Sequence, residues 1–251
     1  MSPKRACPAA FVLLLLIALL SLSGCRSEDG RIAEFNGGHA SIVFLGDSIT
    51  IGYLASRPSN TFHAIVEAGL NDEGLRTQSQ LFISVDPNTN LPVTVNAMAT
   101  DPDVVIVEFG VHSVAAGDIT EGVFRRLYGQ ILDCVAGDGT VVVAGTVPWL
   151  GWERDSPAYE KAALLSEVIK QEAAKKDVGV ADLWSATKLR EGFVSSAEDP
   201  SFLPPYRGDS FHPADAGHAL IARVYLEELR DELKRPPERP YERECPRTGG
   251  Q

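Results

Sequence analysis

Three short runs of apolar, largely β-branched residues set the tightest limit on the fold: Ser41-Ile42-Val43-Phe44-Leu45, Val104-Val105-Ile106-Val107-Glu108-Phe109, and Thr140 to Val147. A strand with one wet face alternates apolar and polar side chains. Continuous runs of this length suit strands covered on both faces. The segments between them carry helical spacing. Thr61 to Glu73 sets Phe62, Ile65, Val66 and Leu70 on one face, and Ile119 to Val135 reads as helical. Pro157 to Lys176 is a long helix with Leu164, Leu165, Val168 and Ile169 inward. Leu75 to Ser84 reads as a weak strand, and Val178 to Leu183 as a short one. A helix over Pro213 to Leu233 closes the domain, with Pro213 at its first position. Strands alternating with such helices predict a parallel sheet layered between helices, an α/β fold. No internal repeat or second core interrupts it, so residues 41–234 read as one domain.

The chain has 251 residues, enough to bury a large core, and a formal net charge of −11. An acidic surface lacks the clustered Lys and Arg that neutralise phosphates, which argues against a nucleic-acid partner.

The first 24 residues read as an address. Lys4 and Arg5 precede an uncharged apolar stretch, Ala9 to Leu20, which is too short for a comfortable membrane span. It ends in Leu22-Ser23-Gly24-Cys25, which resembles the lipobox of bacterial lipoproteins. That resemblance implies cleavage before Cys25, lipidation of its thiol, and an extracytoplasmic protein in the bacterial cell envelope, held to a membrane it does not cross. Residues 25–40 then form a polar tether, and residues 235–251, with Pro236, Pro237, Pro240 and Pro246, a flexible tail. With Cys7 removed and Cys25 lipidated, Cys134 and Cys245 remain. Such a compartment permits a disulfide between them, although spacing alone does not decide it.

In open parallel sheets, ligands bind beyond the carboxyl ends of the strands. The first strand ends in Gly46-Asp47-Ser48-Ile49-Thr50, where a glycine allows a sharp turn and Ser48 opens a helix. Asp209-Ser210-Phe211-His212-Pro213 precedes the last helix. A carboxylate three residues before an imidazole can hold its tautomer and stabilise the imidazolium.

Together these blocks resemble the SGNH or GDSL hydrolase family over roughly Ser41 to Leu233, with Asp215-Ala216-Gly217-His218 continuing the second block. The resemblance implies a three-layer flavodoxin-like fold with a five-stranded parallel sheet. It also implies ester hydrolysis or acyl transfer through an acyl-serine, with no metal or other cofactor. Ser48 would be the nucleophile, His212 the general base and then acid, and Asp209 its orienting partner. The family's Gly-x-Asn-Asp is here Gly110-Val111-His112-Ser113, so His112 is expected to replace the asparagine that donates to the oxyanion. The family's oxyanion glycine has no clear match. Ser84 falls near its place and is expected to supply its backbone N–H beside that of Ser48. Trp149 and Trp152 either line an acyl or sugar pocket or, as is commoner, cover the core beneath a loop. His39, His63 and His218 make no metal-binding spacing with one another. The expected protein is a monomeric serine esterase acting on small acyl esters, among them acylated carbohydrates. The alternatives are an acyltransferase with the same triad, or a binding lipoprotein that has lost its oxyanion hole.

Overall fold

The computed structural model describes residues 35, 38–117, 119–137, 139–188, 212–235 and 244–245. Cys25, Asp209, the signal segment and most of the tether and tail lie outside the described residues.

The strands are β1 (His39–Gly46), β2 (Arg76–Ile83), β3 (Val104–Glu108), β4 (Val141–Gly145) and β5 (Gly179–Ala181). They form one parallel sheet in the order β2-β1-β3-β4-β5. Every residue of β3 and β4 is buried, as expected of central strands with helices on both sides. β2 is an edge strand, and its alternating exposure explains its faint apolar signature.

The helices are α1 (Ser48–Ile51), α2 (Phe62–Asp72), α3 (Asn90–Met98), α4 (Val111–Ala116), α5 (Glu121–Val135), α6 (Pro157–Ala174), α7 (Leu183–Thr187) and α8 (Asp215–Lys234). Right-handed crossovers fix which face each one covers. The step from β1 to β2 carries α2 to one face, where it packs on α8. The later steps carry α3, α5 and α6 to the other face, packed in a row. Thr61, Thr120 and Ser156 cap α2, α5 and α6 by accepting from the third following N–H, which sets those helix starts. Among the described residues, no helix is long and apolar enough to cross a membrane.

Two sequence expectations are corrected. Leu164 is 45% exposed rather than inward; the buried seam of α6 runs through Ala162, Leu165, Val168, Ile169 and Ala173. The last helix begins at Asp215, with Ala214 as its cap, rather than at Pro213. Pro213 sits in an isolated β-bridge, and the Asp215 carboxylate at the first turn is bonded to Ser56 and Asn60. That arrangement suits an acid at a helix N-terminus and shifts the start by two residues. Cys134, at the end of α5, is joined by a disulfide to Cys245 near the C-terminus.

Candidate active site

The chain leaves β1 toward β2 on one side and leaves β3 toward β4 on the other. The carboxyl ends of the adjacent strands β1 and β3 therefore flank the topological switch point of the sheet. After β1 the backbone turns at Gly46. A Cβ there would lie 2.7 Å from Thr50 Cβ and 2.8 Å from the Glu108 carbonyl oxygen, so only glycine lets α1 fold back this closely. Asp47 caps α1 by accepting from the Ile49 N–H at 3.0 Å. Ser48 takes the first helical position, where a backbone N–H has no intrahelical partner.

Across the cleft, Ser48 Oγ lies 2.9 Å from His212 Nε2. In the tautomer with its proton on Nδ1, that imidazole accepts the serine hydroxyl. The pair is separated by 164 residues and comes from opposite ends of the domain. The ring of Tyr53 packs against the imidazole, with centroids 4.4 Å apart. Two further contacts hold the His212 loop. Asp215 accepts from the Ser56 N–H at 2.8 Å, the Ser56 hydroxyl at 2.5 Å and the Asn60 amide at 2.7 Å. The fully buried His218 lies 3.4 Å from the Phe62 N–H through Nδ1 and 3.3 Å from the Tyr53 carbonyl through Nε2. Burial lowers the His218 pKa to about 4, so the ring is neutral and serves as a spacer rather than a charge.

Beneath the serine lie two buried acids. Asp47 is 1% exposed and Glu108, the last residue of β3, is 2% exposed. The Thr50 hydroxyl donates to Glu108 Oε2 at 3.0 Å. Burial pushes both carboxyls up, and the neighbouring Asp47 charge pushes Glu108 further. His112, half-buried in the first turn of α4, acts on Asp47 in the opposite sense by its charge. Gly110 caps α4 at φ 146°, a conformation that favours glycine.

The remaining candidates fall as follows. The Ser84 N–H donates to the Gly46 carbonyl at 2.9 Å, and its hydroxyl bonds the Asp86 carbonyl and Thr89. That N–H is committed to the sheet, which corrects the expectation that it faces an oxyanion. Val85 follows Ser84 just past the carboxyl end of β2, on the strand beside β1. Val85 is 54% exposed, and among the described residues its N–H has no partner. Trp149 and Trp152 are partly buried against the core, and the Trp149 indole donates to the Trp152 carbonyl at 2.7 Å. Both cover the core. Asp209 lies outside the described residues, so the third triad position is not described. Sequence reasoning missed Glu108 and Tyr53, and named Asp215 without its contacts to Ser56 and Asn60. Only Glu108 left a signal, a carboxylate inside an otherwise apolar run.

Residues 44–220 match the family model of the GDSL-like lipase/acylhydrolases. The fold is similar to that of several solved structures. One is a lipase/acylhydrolase from Enterococcus faecalis, 20% identical, with TM-score 0.60, covering 80% of this chain and 99% of that one. A second is TesA, 18% identical, with TM-score 0.62, covering 77% and 99%. A third is an acetylxylan esterase from Geobacillus stearothermophilus, 19% identical, with TM-score 0.61, covering 76% and 94%. No curated protein matches the chain. The family match spans well over half of the sequence and includes both Ser48 and His212, the two residues the fold brings into hydrogen-bonding distance: the chain belongs to the GDSL-like lipase/acylhydrolase family of hydrolases.

Proposed function

We propose that this protein is an extracytoplasmic, lipid-anchored serine esterase that removes small acyl groups, including O-acetyl groups of carbohydrates. The observation that carries the reading is the 2.9 Å contact between Ser48 Oγ and His212 Nε2 at the switch point of the sheet. His212 takes the proton as Ser48 attacks the ester carbonyl, then returns it to the leaving alcohol. Water deacylates the serine by the same route. In this reading Asp209 is the orienting partner of His212, the role the family resemblance implies. The oxyanion is bound by the N–H groups of Ser48 and Val85 and by a ring N–H of His112. Val85 thus takes the role the sequence suggested for Ser84. The similarity to an acetylxylan esterase supports the carbohydrate acetyl ester as substrate class. The signal and Cys25 supply the membrane anchor.

A fluorophosphonate probe is expected to label the wild-type chain at Ser48. Ser48→Ala and His212→Ala are each expected to lose at least roughly 10³-fold in acetyl-ester turnover. Robust turnover by Ser48→Ala would sink the assignment. A panel of acetyl, butyryl and longer esters, with and without sugar acceptors, separates esterase from acyltransferase and sets the acyl length. Radiolabelled palmitate is expected to enter the wild-type chain and not Cys25→Ser. His112 in place of an amide donor favours a second reading, a surface lipoprotein that binds acylated ligands without turning them over. A wild-type chain inert on every ester of the panel would select it.

A further inference from the structure

We propose that Glu108 is the positioning residue for Ser48: its carboxyl shares one proton with Asp47, and that shared proton locks the turn that presents the serine. The inference rests on the reading of Ser48 as nucleophile, and it concerns two buried acids that the acyl-transfer steps leave unused.

Gly46 and Glu108 are register neighbours on the adjacent strands β1 and β3, so the Glu108 side chain rises directly beneath the β1–α1 turn. The Thr50 hydroxyl donates to Oε2 at 3.0 Å, and the Asp47 and Glu108 carboxyls, both buried, lie close enough for each to act on the other's charge. Asp47 Oδ1 is occupied by the Ile49 N–H, whereas the buried Oδ2 receives no N–H or hydroxyl of its own. A buried acceptor without a donor is costly, and two neighbouring carboxylates in a dry site do not both ionise. A proton held on Glu108 and donated to Asp47 Oδ2 removes both penalties. Asp47 keeps the negative charge and with it the cap of α1.

The surroundings favour one proton rather than none or two. The titratable groups around the pair are His112 of α4, which stabilises the Asp47 charge, and the hydroxyls of Tyr128 on α5 and Tyr225 on α8. Tyr225 donates to the Val107 carbonyl at 3.4 Å, and the buried Tyr128 hydroxyl has no partner among the described residues; neither brings a compensating positive charge. Burial raises both acids, and Asp47, whose Oδ1 already accepts the Ile49 N–H that starts α1, is the one placed to keep the charge. Losing the shared proton at high pH sets two anions against each other beneath Asp47 and displaces Ser48 from His212.

Glutamine reproduces the lock without the proton, because its amide donates to Asp47 and its carbonyl accepts from Thr50. Glu108→Gln is therefore expected to keep acetyl-ester kcat within about threefold at neutral pH. The wild type is expected to lose kcat/KM on the alkaline side, and Glu108→Gln to lack that decline. Glu108→Ala is expected to lose about 100-fold in kcat with little change in KM, the scale of a misplaced reacting group. Infrared spectra give a readout independent of catalysis. A protonated-carboxyl band is expected at neutral pH in Ser48→Ala, and it should vanish in Ser48→Ala/Glu108→Gln. Absence of the band, a glutamine variant as slow as the alanine variant, or an unchanged alkaline limb would each overturn the proposal. If the wild type neither hydrolyses esters nor takes up the fluorophosphonate probe, the esterase reading fails, and the infrared band still decides the shared proton.

Discussion

Burying an ionised carboxylate costs several kcal/mol unless partners offset it, and this protein buries two carboxyls, Asp47 and Glu108, below Ser48. Such an arrangement survives only where the surrounding groups leave no better choice. Gly46, Asp47, Ser48 and Thr50 all serve one short turn, and each contributes a different interaction to it. Glycine removes the Cβ that would strike Thr50, aspartate caps the helix, and threonine ties the turn down to Glu108. His112 is the other residue whose identity matters by itself. An imidazole aims its ring N–H differently from an asparagine amide, and its wider ring demands more room. On a small acetyl ester, His112→Ala is expected to lose about 10²- to 10³-fold in kcat, the range of one oxyanion donor, and His112→Asn to recover most of it. Equal rates in wild type and His112→Ala would remove His112 from the oxyanion set. The sequence made Ser48 and His212 legible because their neighbours are distinctive. Val85 was not legible, because the role assigned to it is that of a backbone N–H, which leaves no trace in side-chain chemistry.

At the scale of elements, legibility followed burial. β3 and β4 are buried at every position and were the plainest strands in the sequence, whereas β2, at the sheet edge, had few apolar positions to show. α3 escaped notice for a local reason: Pro92, Val93, Thr94 and Val95 disguise it as extended chain. Pro92 falls in the first turn, where a missing N–H costs nothing, and the Thr94 hydroxyl bonds back to the Asn90 carbonyl at 2.8 Å. The start of α8 was misplaced by two residues because Asp215 answers to Ser56 and Asn60, more than 150 residues away in the chain. That same helix carries a pH dependence. The folded state resists protonating His218 until about pH 4, whereas the unfolded chain takes the proton near 6.5. Between those values the unfolded state binds more protons, so stability is full above pH 6.5 and falls as the pH drops. The loss amounts to about 3 kcal/mol by pH 4. Urea unfolding at pH 7 and pH 4.5 is expected to show this loss in the wild type. His218→Gln should start less stable at pH 7 and show a shallower decline; identical slopes would clear His218 of the effect.

At the scale of the molecule, the chemistry and the covalent staple sit at opposite edges of the sheet. Ser48 and His112 follow the carboxyl ends of β1 and β3, whereas Cys134 lies in the last turn of α5, just before the chain enters β4. The disulfide spans 111 residues of sequence, and the Glu244 N–H donates to the Asp133 carbonyl beside it at 3.1 Å. A cross-link over that separation stabilises by about 4 to 5 kcal/mol on the chain-entropy account. Cys245→Ser is expected to lower the denaturation midpoint accordingly, and reductant to do the same to the wild type, while acetyl-ester turnover at 25 °C stays within about twofold. An unchanged midpoint would assign the bond no stabilising role.

The direction of β1 has one more consequence. Its first residue, His39, stands at the amino edge of the sheet, so the chain enters the domain on the side facing away from Ser48. Phe35 packs against the core, so if Cys25 is the lipid-bearing residue, the nine residues between them allow a reach of at most roughly 36 Å. A protein moored by its back presents the catalytic mouth outward. It would therefore graze polymers lying above the bilayer rather than the lipids it is rooted in.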